Sequence, residues 1–311
     1  MAQLANSFST FAAVGNRESL EDKIYNVSPE DTPFLATIDS GKAYATYEEW
    51  QTDVLAAASN NKVEQGNEAT IVATTPTVRV GNRTQISEKT YAVTGTQEVV
   101  NKAGRKSEVS YQDAKKMVEL KRDIEFGALQ NTTAIAAAAG VPGQSRGVLG
   151  WIATNTDIGA TGVDPNPVTN TAPTDGTQRA LTETMFKNAA QKAWVSGGNP
   201  DLVLVPSAQR GAVSGFTGAA TKFLDVEKKT VYGTVEVYVG DYGRYSIVNS
   251  RYQRAREIFG IQRDMWKLLT LRPMKGKDLA ETGDSKKRMI NTEYTLQCKN
   301  EAANFAVRDL T

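Results

Sequence analysis

The side chains that could support catalysis are few, because the 311-residue chain contains no histidine and a single cysteine, Cys298. The absence of histidine excludes the usual Ser-His-Asp and Cys-His catalytic arrangements, His-ligated zinc and the most common general base near neutral pH. A lone thiol forms neither an intrachain disulfide nor a cysteine cluster. Cys298 is therefore predicted to be an inert, small apolar residue on a strand, in a reducing compartment.

Pairs of carboxylates could hydrolyse a glycosidic bond without histidine. The nearest candidates are Glu48 with Glu49, and Asp123 with Glu125. Adjacent residues of a strand point to opposite faces, and residues two apart on a helix also diverge, so neither pair converges on a substrate. All four carboxylates are therefore predicted to be solvated surface groups.

Lys102, Arg105 and Lys106 form a short basic cluster that could bind a phosphate, but a solvated face is the favoured interpretation. No two glycines are separated by a single residue, so the G-x-G loops of dinucleotide-binding proteins and kinases are absent. The phosphate-binding loop of the P-loop enzymes and the common calcium-binding loop are also absent from the sequence. The sequence therefore predicts no catalytic, cofactor-binding or metal-binding residues.

The overall charge is close to zero, since 36 Lys and Arg residues stand against 35 Asp and Glu residues. A protein that binds nucleic acid by counterion release needs a basic excess, so a dedicated DNA-binding protein is disfavoured. No apolar run approaches the roughly 18 residues of a membrane span, and the first residues lack the basic start and apolar core of a signal peptide. Residence in the cytoplasm is the default expectation.

The elements that would position these side chains begin with a strand-rich region, 42–95. Tyr44, Thr46, Glu48 and Trp50 would share one face of its first strand, and a polar stretch and several β-branched runs follow. A hairpin this long and this polar is not self-sufficient in water. The region is therefore predicted to need a neighbouring molecule.

The clearest helix is predicted over about 107–130, because Ser107 is a good N-cap and apolar residues follow it with a period near 3.6. Charged side chains occupy much of the remaining surface of this helix, and no proline interrupts it. At 1.5 Å per residue it would be on the order of 30 Å long. The helix is predicted to be a rigid strut.

A second helix is predicted after Thr182, and a buried strand over 202–205 follows it, which indicates a compact α+β unit between about 141 and 265. The four tryptophans are dispersed along the chain, so Trp194 and Trp266 are predicted to pack in the core or at an interface. The buried stripe of the second helix is predicted to consist of Met185, Phe186, Ala189, Ala190, Ala193 and Trp194.

The first 41 residues mix small polar residues with isolated apolar ones. Two interpretations stay open: a frayed terminus, or an extended arm that docks its apolar side chains onto another molecule. From 266 to the C-terminus the β-type runs return. The apolar side chains of the arm are Phe8, Phe11, Leu20, Ile24 and Phe34.

Several short segments occur in order over about half of the chain. They are 29–35 (PEDTPFL), 47–53 (YEEWQTD), 81–87 (GNRTQIS), 95–98 (GTQE), 102–105 (KAGR), 116–124 (KMVELKRDI) and 147–152 (GVLGWI). Together they resemble one family of tailed-phage major capsid proteins with the Hong Kong 97-type fold, also called the Johnson fold. Over the second half of the chain the resemblance is one of element order.

The resemblance implies an α+β chain with the Hong Kong 97-type capsid fold. The arm and the extended loop would lie on neighbouring subunits, and the tip of the axial domain would meet its copies around the centre of a capsomer. Two segments without a core of their own agree with this arrangement, since other copies would bury them. The implied parts are an N-terminal arm (1–41), an extended β-hairpin loop (42–95), a peripheral domain with the spine helix (96–140), an axial domain (141–265) and peripheral C-terminal strands (266–311).

The resulting hypothesis is a non-enzymatic major capsid protein that self-assembles into the hexamers and pentamers of an icosahedral shell enclosing double-stranded DNA. It would be part of the virion after assembly in the cytoplasm of the host bacterium, and no cleaved N-terminal scaffold segment is expected. Expected partners are further copies of the chain, a portal, and scaffolding or decoration proteins. Packaged DNA would touch the shell only by weak, non-specific contact, and neither a membrane nor a cofactor is expected.

Two alternatives remain open. One is another virion structural protein, such as a tail-tube or decoration subunit, although a β-barrel tube would hardly need the helix at 107–130. The other is a histidine-free, carboxylate-dependent glycosidase, which would require two carboxylates converging in a cleft.

Overall fold

The computed structural model describes residues 28–29, 31–68, 71–216, 224–225, 230–231 and 237–311. The expected contacts of Phe8, Phe11, Leu20 and Ile24 lie outside these residues. The described residues form a helix-backed sheet, a second and larger sheet, and a hairpin that leaves the body.

The helices are α1 (Pro33–Thr37), α2 (Gly95–Val99), α3 (Glu108–Gln130), α4 (Val148–Trp151), α5 (Glu183–Val195) and α6 (Ser207–Ser214), with 3-10 turns at Arg263–Met265 and Glu301–Ala303. The strands are β1 (Asp39–Lys42), β2 (Tyr47–Thr52), β3 (Val78–Arg83), β4 (Gln85–Thr94), β5 (Thr156–Asp157), β6 (Leu202–Pro206), β7 (Leu224–Asp225), β8 (Thr230–Val231), β9 (Val237–Gly240), β10 (Gly243–Ser250), β11 (Ile258–Ile261), β12 (Trp266–Asp278), β13 (Ser285–Cys298) and β14 (Phe305–Val307).

A four-stranded sheet in the order β1-β12-β13-β4 supports the long helix α3. β12 and β13 form an antiparallel hairpin, β4 continues the sheet antiparallel to β13, and β1 adds to β12 in parallel. Leu120, Ile124, Ile290 and Tyr294 are buried between the helix and the sheet. One face of the sheet therefore forms a core with α3.

The long helix lies where the sequence predicts it. Ser107 is its N-cap, and the Ser107 Oγ accepts a hydrogen bond from the Ser110 backbone N–H at 3.2 Å. The carboxylate of Glu98 accepts a second one from the Glu108 N–H at 2.9 Å. These two acceptors satisfy N–H groups that a helix N-terminus otherwise leaves unpaired.

Only the second half of α3 is buried along its apolar stripe. Ala114 and Met117, in the first half, are exposed, whereas burial of the stripe begins at Leu120. The 3.6-residue period therefore identifies the helix correctly but overstates how much of it the described part of the chain covers.

A second sheet of six strands has the order β5-β14-β11-β6-β10-β9. Its central strand β6 is buried along its whole length, as predicted for 202–205. On the face covered by α5 and α6, Phe186 packs edge-on against Tyr238, Tyr245 and Phe305, with ring centroids 5.4 to 5.5 Å apart. This aromatic cluster is the centre of the second core.

In α5 the predicted N-cap and most of the predicted buried stripe are confirmed. The Thr182 Oγ1 accepts a hydrogen bond from the Met185 N–H at 3.4 Å. Phe186 and the three alanines are buried, but Trp194 is 58% exposed and packs at a tilt against Tyr242. Core packing is thus wrong for Trp194, since the stripe turns away from the sheet in the last turn, and right for Trp266, which is fully buried.

Both ends of the described chain pack onto its own body. Phe34 in α1 is fully buried and meets the Trp266 ring edge-on at 5.8 Å, so the expectation that Phe34 docks onto another molecule is wrong. β1 then adds this segment to the four-stranded sheet. At the other end, β14 pairs with β11 and β5, so the C-terminal segment 266–311 is shared between the two sheets.

Candidate assembly surfaces

The protruding hairpin begins as two paired strands on the surface of the body. β2 and β3 pair antiparallel over their whole length. Along β2, Glu48, Trp50 and Thr52 are half-buried and the residues between them are exposed, as the alternation predicts. The prediction that Tyr44 and Thr46 belong to the same strand face is wrong, since both are exposed and precede the strand. Trp50 packs against Trp151 of α4 with ring centroids 5.4 Å apart, which attaches the hairpin to the body.

A buried asparagine fixes the base of this hairpin. Asn82, in β3, is fully buried, and its Nδ2 donates to the carbonyl oxygens of Leu296 at 2.6 Å and Arg146 at 3.0 Å. Its Oδ1 accepts from the backbone N–H groups of Arg146 at 2.8 Å and Arg83 at 2.9 Å. One amide side chain therefore joins the hairpin to β13 and to the segment before α4.

Beyond this base the chain runs through residues 53–77, which we call the limb. Its described residues contain no helix or strand, and all of them are exposed. Ile71 is 96% exposed and Leu55 is 93% exposed. The limb carries four charged side chains, Asp53, Lys62, Glu64 and Glu68. Large exposed apolar side chains with few charges are typical of an interface.

Three of the four carboxylates considered for catalysis lie near the surface and do not converge. Glu48 accepts a hydrogen bond from the Ala45 N–H at 2.7 Å and so closes a backbone turn before β2. Glu49 forms an ion pair with Arg79 on the other face of the hairpin. Asp123 is exposed, as predicted.

Glu125 is fully buried, so the prediction of a solvated carboxylate is wrong for this residue. Its two oxygens accept hydrogen bonds from the N–H groups of Phe34 and Leu35, each at 2.9 Å, at the start of α1. No side-chain cap from its own N-cap residue satisfies this end of α1. Burial raises the pKa of Glu125 to about 7, against the opposing effect of the two hydrogen bonds. One feature of the sequence indicates this burial: an acidic residue directly follows Ile124, which is buried, on a turn of the helix that faces the core.

Two of the three residues of the basic cluster form hydrogen bonds or ion pairs within the chain. The Lys102 Nζ donates to backbone carbonyl oxygens at the end of α2 at 2.8 Å, and its side chain is 5% exposed. Arg105 forms an ion pair with Glu108, while Lys106 is exposed. The prediction of a solvated face is therefore wrong for Lys102 and right for Lys106. Since two of the three cations are engaged, the geometry disfavours a phosphate site.

A cleft of about 570 Å³, which we call the root cleft, lies where the limb leaves the body. Val80, Trp151 and Cys298 are its buried lining residues. Burial raises the pKa of the Cys298 thiol, consistent with the small apolar residue predicted at this position. The exposed apolar side chains that line the cleft are Val54, Leu55, Val78, Val168 and Val195.

A buried aspartate that sequence reasoning missed ties the long surface loop of 155–178 to the C-terminus. Asp309 accepts hydrogen bonds from the N–H groups of Gly159 at 3.0 Å and Gly176 at 2.8 Å, and it lies 3.3 Å from a guanidinium nitrogen of Arg256. Its backbone is left-handed, with φ of 60°, a conformation that aspartate tolerates better than most residues. No local pattern marks such a residue, because its partners are far away in the sequence.

The described residues offer surfaces rather than a cluster of reactive groups. Within the ranges that the structure describes, no group of three or more Cys, Asp and Glu side chains is placed to hold a metal ion. None of the described helices is both long and apolar enough to cross a membrane. The limb and the root cleft are therefore the candidate functional features.

Comparisons with known proteins find the same type of protein among the family models, the related sequences and the solved structures. The family model described as SU10 major capsid protein matches residues 5–311. The major capsid protein of Escherichia phage Phieco32 is 24% identical, over 96% of this chain and 95% of that protein. The cyanophage A-1(L) capsid structure has a TM-score of 0.66 at 14% identity, covering 97% of this chain and 98% of that one. The phage G major capsid protein, solved together with decoration proteins, has a TM-score of 0.56 at 13% identity over the full length of both chains.

These matches confirm the α+β, Hong Kong 97-type fold that the resemblance implied. The matched family is structural rather than enzymatic, so the glycosidase alternative is wrong. A tail-tube or decoration subunit is likewise excluded, because the family model covers almost the entire chain. The chain therefore belongs to the SU10 major capsid protein family, and it is a major capsid protein of a tailed phage and a component of the virion.

Proposed function

We propose that the chain assembles into the hexamers and pentamers of an icosahedral shell that encloses double-stranded DNA, with the limb of each subunit lying on a neighbour. The observation that carries this proposal is the exposure of the limb. Its base is fixed by the buried Asn82, yet every described limb residue is exposed. An exposed segment with apolar side chains on a firmly held base fits a contact that another copy completes.

We propose the following roles for the parts of the chain. The limb is the outer part of an extended loop within 42–95. The helix α3 with β12 and β13 forms the peripheral domain from 96–140 and 266–298, and β1 and β4 complete its sheet. The region 141–265 is the axial domain, which the last strand β14 joins. Residues before α1 form the arm, because α1 and β1 already pack on the body of their own subunit.

Assembly in the cytoplasm of the host bacterium, with a portal and with scaffolding or decoration proteins, is also part of the proposal. The phage G relative was solved with decoration proteins, which supports partners of that kind. The formal net charge of +1 supports weak, non-specific contact with packaged DNA, since a strongly basic lining would bind the DNA tightly.

The test removes the limb and keeps its base. Deleting residues 54–80 would also remove the buried Val80 and half of β3, so the sharper variant replaces 53–77 with the dipeptide Asn-Gly. Thr52 and Val78 are paired, and Asn-Gly is a favoured two-residue turn between antiparallel strands. We expect the variant to unfold at the same urea concentration as the parent but to form no closed shells in negative-stain micrographs.

The control exchanges Asn60 and Asn61, exposed limb residues, for serine, and this variant should form shells like the parent. Intact shells from the limb-replaced variant would show that overlap through the limb is not needed. If the parent chain also forms no shells when it is expressed alone, the proposal that it self-assembles without other proteins is overturned.

A further inference from the structure

We propose that Glu125 is a proton-sensitive positioning residue: it holds the segment 31–42 on the long helix and holds it more tightly when its carboxyl group is protonated. The segment consists of α1 and β1 and the residues beside them. Its docking within one subunit does not depend on the proposed function. Its consequence for assembly does, because residues before this segment form the proposed arm.

The contact between Glu125 and the segment is specific. Each carboxylate oxygen accepts one backbone N–H, from Phe34 and from Leu35, at 2.9 Å. These N–H groups belong to the first turn of α1. The side chain of the preceding residue, Thr32, does not cap them. A carboxylate 90 residues further along the chain therefore does the work of an N-cap.

The rest of the segment depends on the same docking. Phe34 is fully buried and meets Trp266 edge-on. Just before the segment, the Pro29 carbonyl oxygen accepts a hydrogen bond from the Tyr252 hydroxyl at 3.0 Å. If the first turn of α1 leaves Glu125, the Phe34 side chain and the entry of the arm into the body move with it.

In the part of the chain that the structure describes, no cation compensates the buried carboxylate. Among the described residues, Glu125 takes part in no ion pair, and α1 itself carries no charged side chain. Arg122, one turn earlier on α3, lies over the Tyr252 ring at 5.9 Å, and Lys267 of β12 pairs with Asp39 at 3.7 Å. Other charged or titratable groups on the surrounding elements include the exposed Asp31, Lys121, Asp123, Arg244 and Arg251 and the half-buried Glu119 and Tyr252.

The direction of the pH effect follows from this environment. An ionised carboxylate buried without a cation is costly, so burial raises the pKa of Glu125 to about 7 in the docked state. When the segment leaves, the carboxyl group meets water and its pKa returns toward 4.5, the ordinary value. Between these two values the docked state binds a proton that the undocked state lacks. Docking is therefore strongest at low pH and weakens as the pH rises through 7.

The inference gives Glu125 a role in assembly. The segment 31–42 directly follows the residues of the proposed arm. A subunit at a pH above neutral would release this segment more often than the same subunit below neutral. The arm would accordingly be oriented more firmly for contact with a neighbour in mildly acidic solution.

Amide hydrogen exchange on the unassembled, full-length chain tests the proposal. Protection of a peptide spanning 31–42 is measured at pH 6 and pH 8 and corrected for the intrinsic pH dependence of exchange. One pH unit below the docked pKa corresponds to about a tenfold gain, so we expect about tenfold greater protection at pH 6 in the parent. Glu125→Gln, which cannot ionise, should show the same protection at both pH values.

Two controls make the result specific. Glu119→Gln changes a carboxylate of the same helix that pairs with Lys116 at the surface, and it should keep the tenfold ratio. A peptide from β6, buried throughout, reports opening of the whole subunit and serves as the reference. If Glu125→Gln fails to fold, Glu125→Ala replaces it.

An unchanged pH ratio in the Glu125 variants, or greater protection of the parent at pH 8, would overturn the proposal. Because the measurement uses unassembled subunits, its outcome does not depend on shell formation. A chain that passes this test but forms no shells would contradict the proposed function and leave the role of Glu125 standing.

Discussion

Single polar side chains join parts of this protein that are distant in sequence. Asn82 binds the Leu296 carbonyl 214 residues away, and Asp309 binds the Gly159 N–H across 150 residues. Hydrophobic periodicity reports which face of one element is buried, but it carries no information on such a partner. That is why Glu125, on a well-predicted helix, was wrongly expected at the surface.

Replacing Asn82 with alanine should destabilise the subunit strongly. The change leaves the Leu296 carbonyl and the Arg146 N–H buried without their partner, and each such group costs about 1–3 kcal/mol. We expect the free energy of unfolding to fall by about 3 kcal/mol in urea titrations of the unassembled chain.

The matched control is Asn101→Ala, an asparagine that is exposed in the segment before α3. This substitution should change the free energy of unfolding by less than about 0.5 kcal/mol. Equal effects at the two positions would mean that the buried hydrogen bonds of Asn82 contribute little to the attachment of the hairpin.

At the scale of elements, the sequence allowed accurate prediction wherever local signals decide the structure. The caps Ser107 and Thr182, the long helix and the buried strand β6 are all confirmed, and β2 alternates as expected. The failures occur where tertiary packing decides. The segment of α1 and β1 looked like a free arm because its five-residue helix and short edge strand are stable only against the body.

The outer edge of β12 shows how an exposed strand is kept from wrong pairing. β1 covers this edge only as far as Thr270. Beyond that point β12 contains Pro273, Lys275 and Lys277, and its register with β13 is irregular. Proline, lysine and irregular register all discourage pairing between sheet edges. These features discourage association of subunits through this sheet edge.

Ser107→Ala tests the cap of the long helix. Removing the Oγ acceptor leaves the Ser110 N–H unpaired, which costs about 1 kcal/mol at a helix N-terminus. We expect a loss of that size in thermal or urea unfolding. The neighbouring exposed Ser110→Ala should cause no loss, because alanine is the better helix former. A larger effect at position 110 than at position 107 would contradict the capping role.

At the scale of the whole molecule, the two cores account for the body but leave the limb outside. The four-stranded sheet with α3 and the six-stranded sheet with α5 and α6 each bury a cluster of apolar side chains. A third cluster joins them through α4, β6 and Trp266. Since none of these clusters includes a residue of 53–77, removal of the limb should cost the folded subunit little.

Limited proteolysis can report whether the limb is covered when subunits assemble. Lys62 is the one lysine or arginine of residues 53–77, and it is exposed on a segment without helix or strand. Exposed, irregular segments are preferred sites of cleavage. Trypsin should therefore cut unassembled subunits after Lys62, giving fragments 1–62 and 63–311. In assembled particles the same cut should be at least about tenfold slower, because the proposed overlap places a neighbouring copy on the limb. Lys62→Gln should abolish this pair of fragments and leave the rest of the digestion pattern unchanged. Equal cleavage rates at Lys62 in subunits and in particles would show that the limb stays free in the shell, and the overlap of neighbouring subunits would have to be sought on another surface.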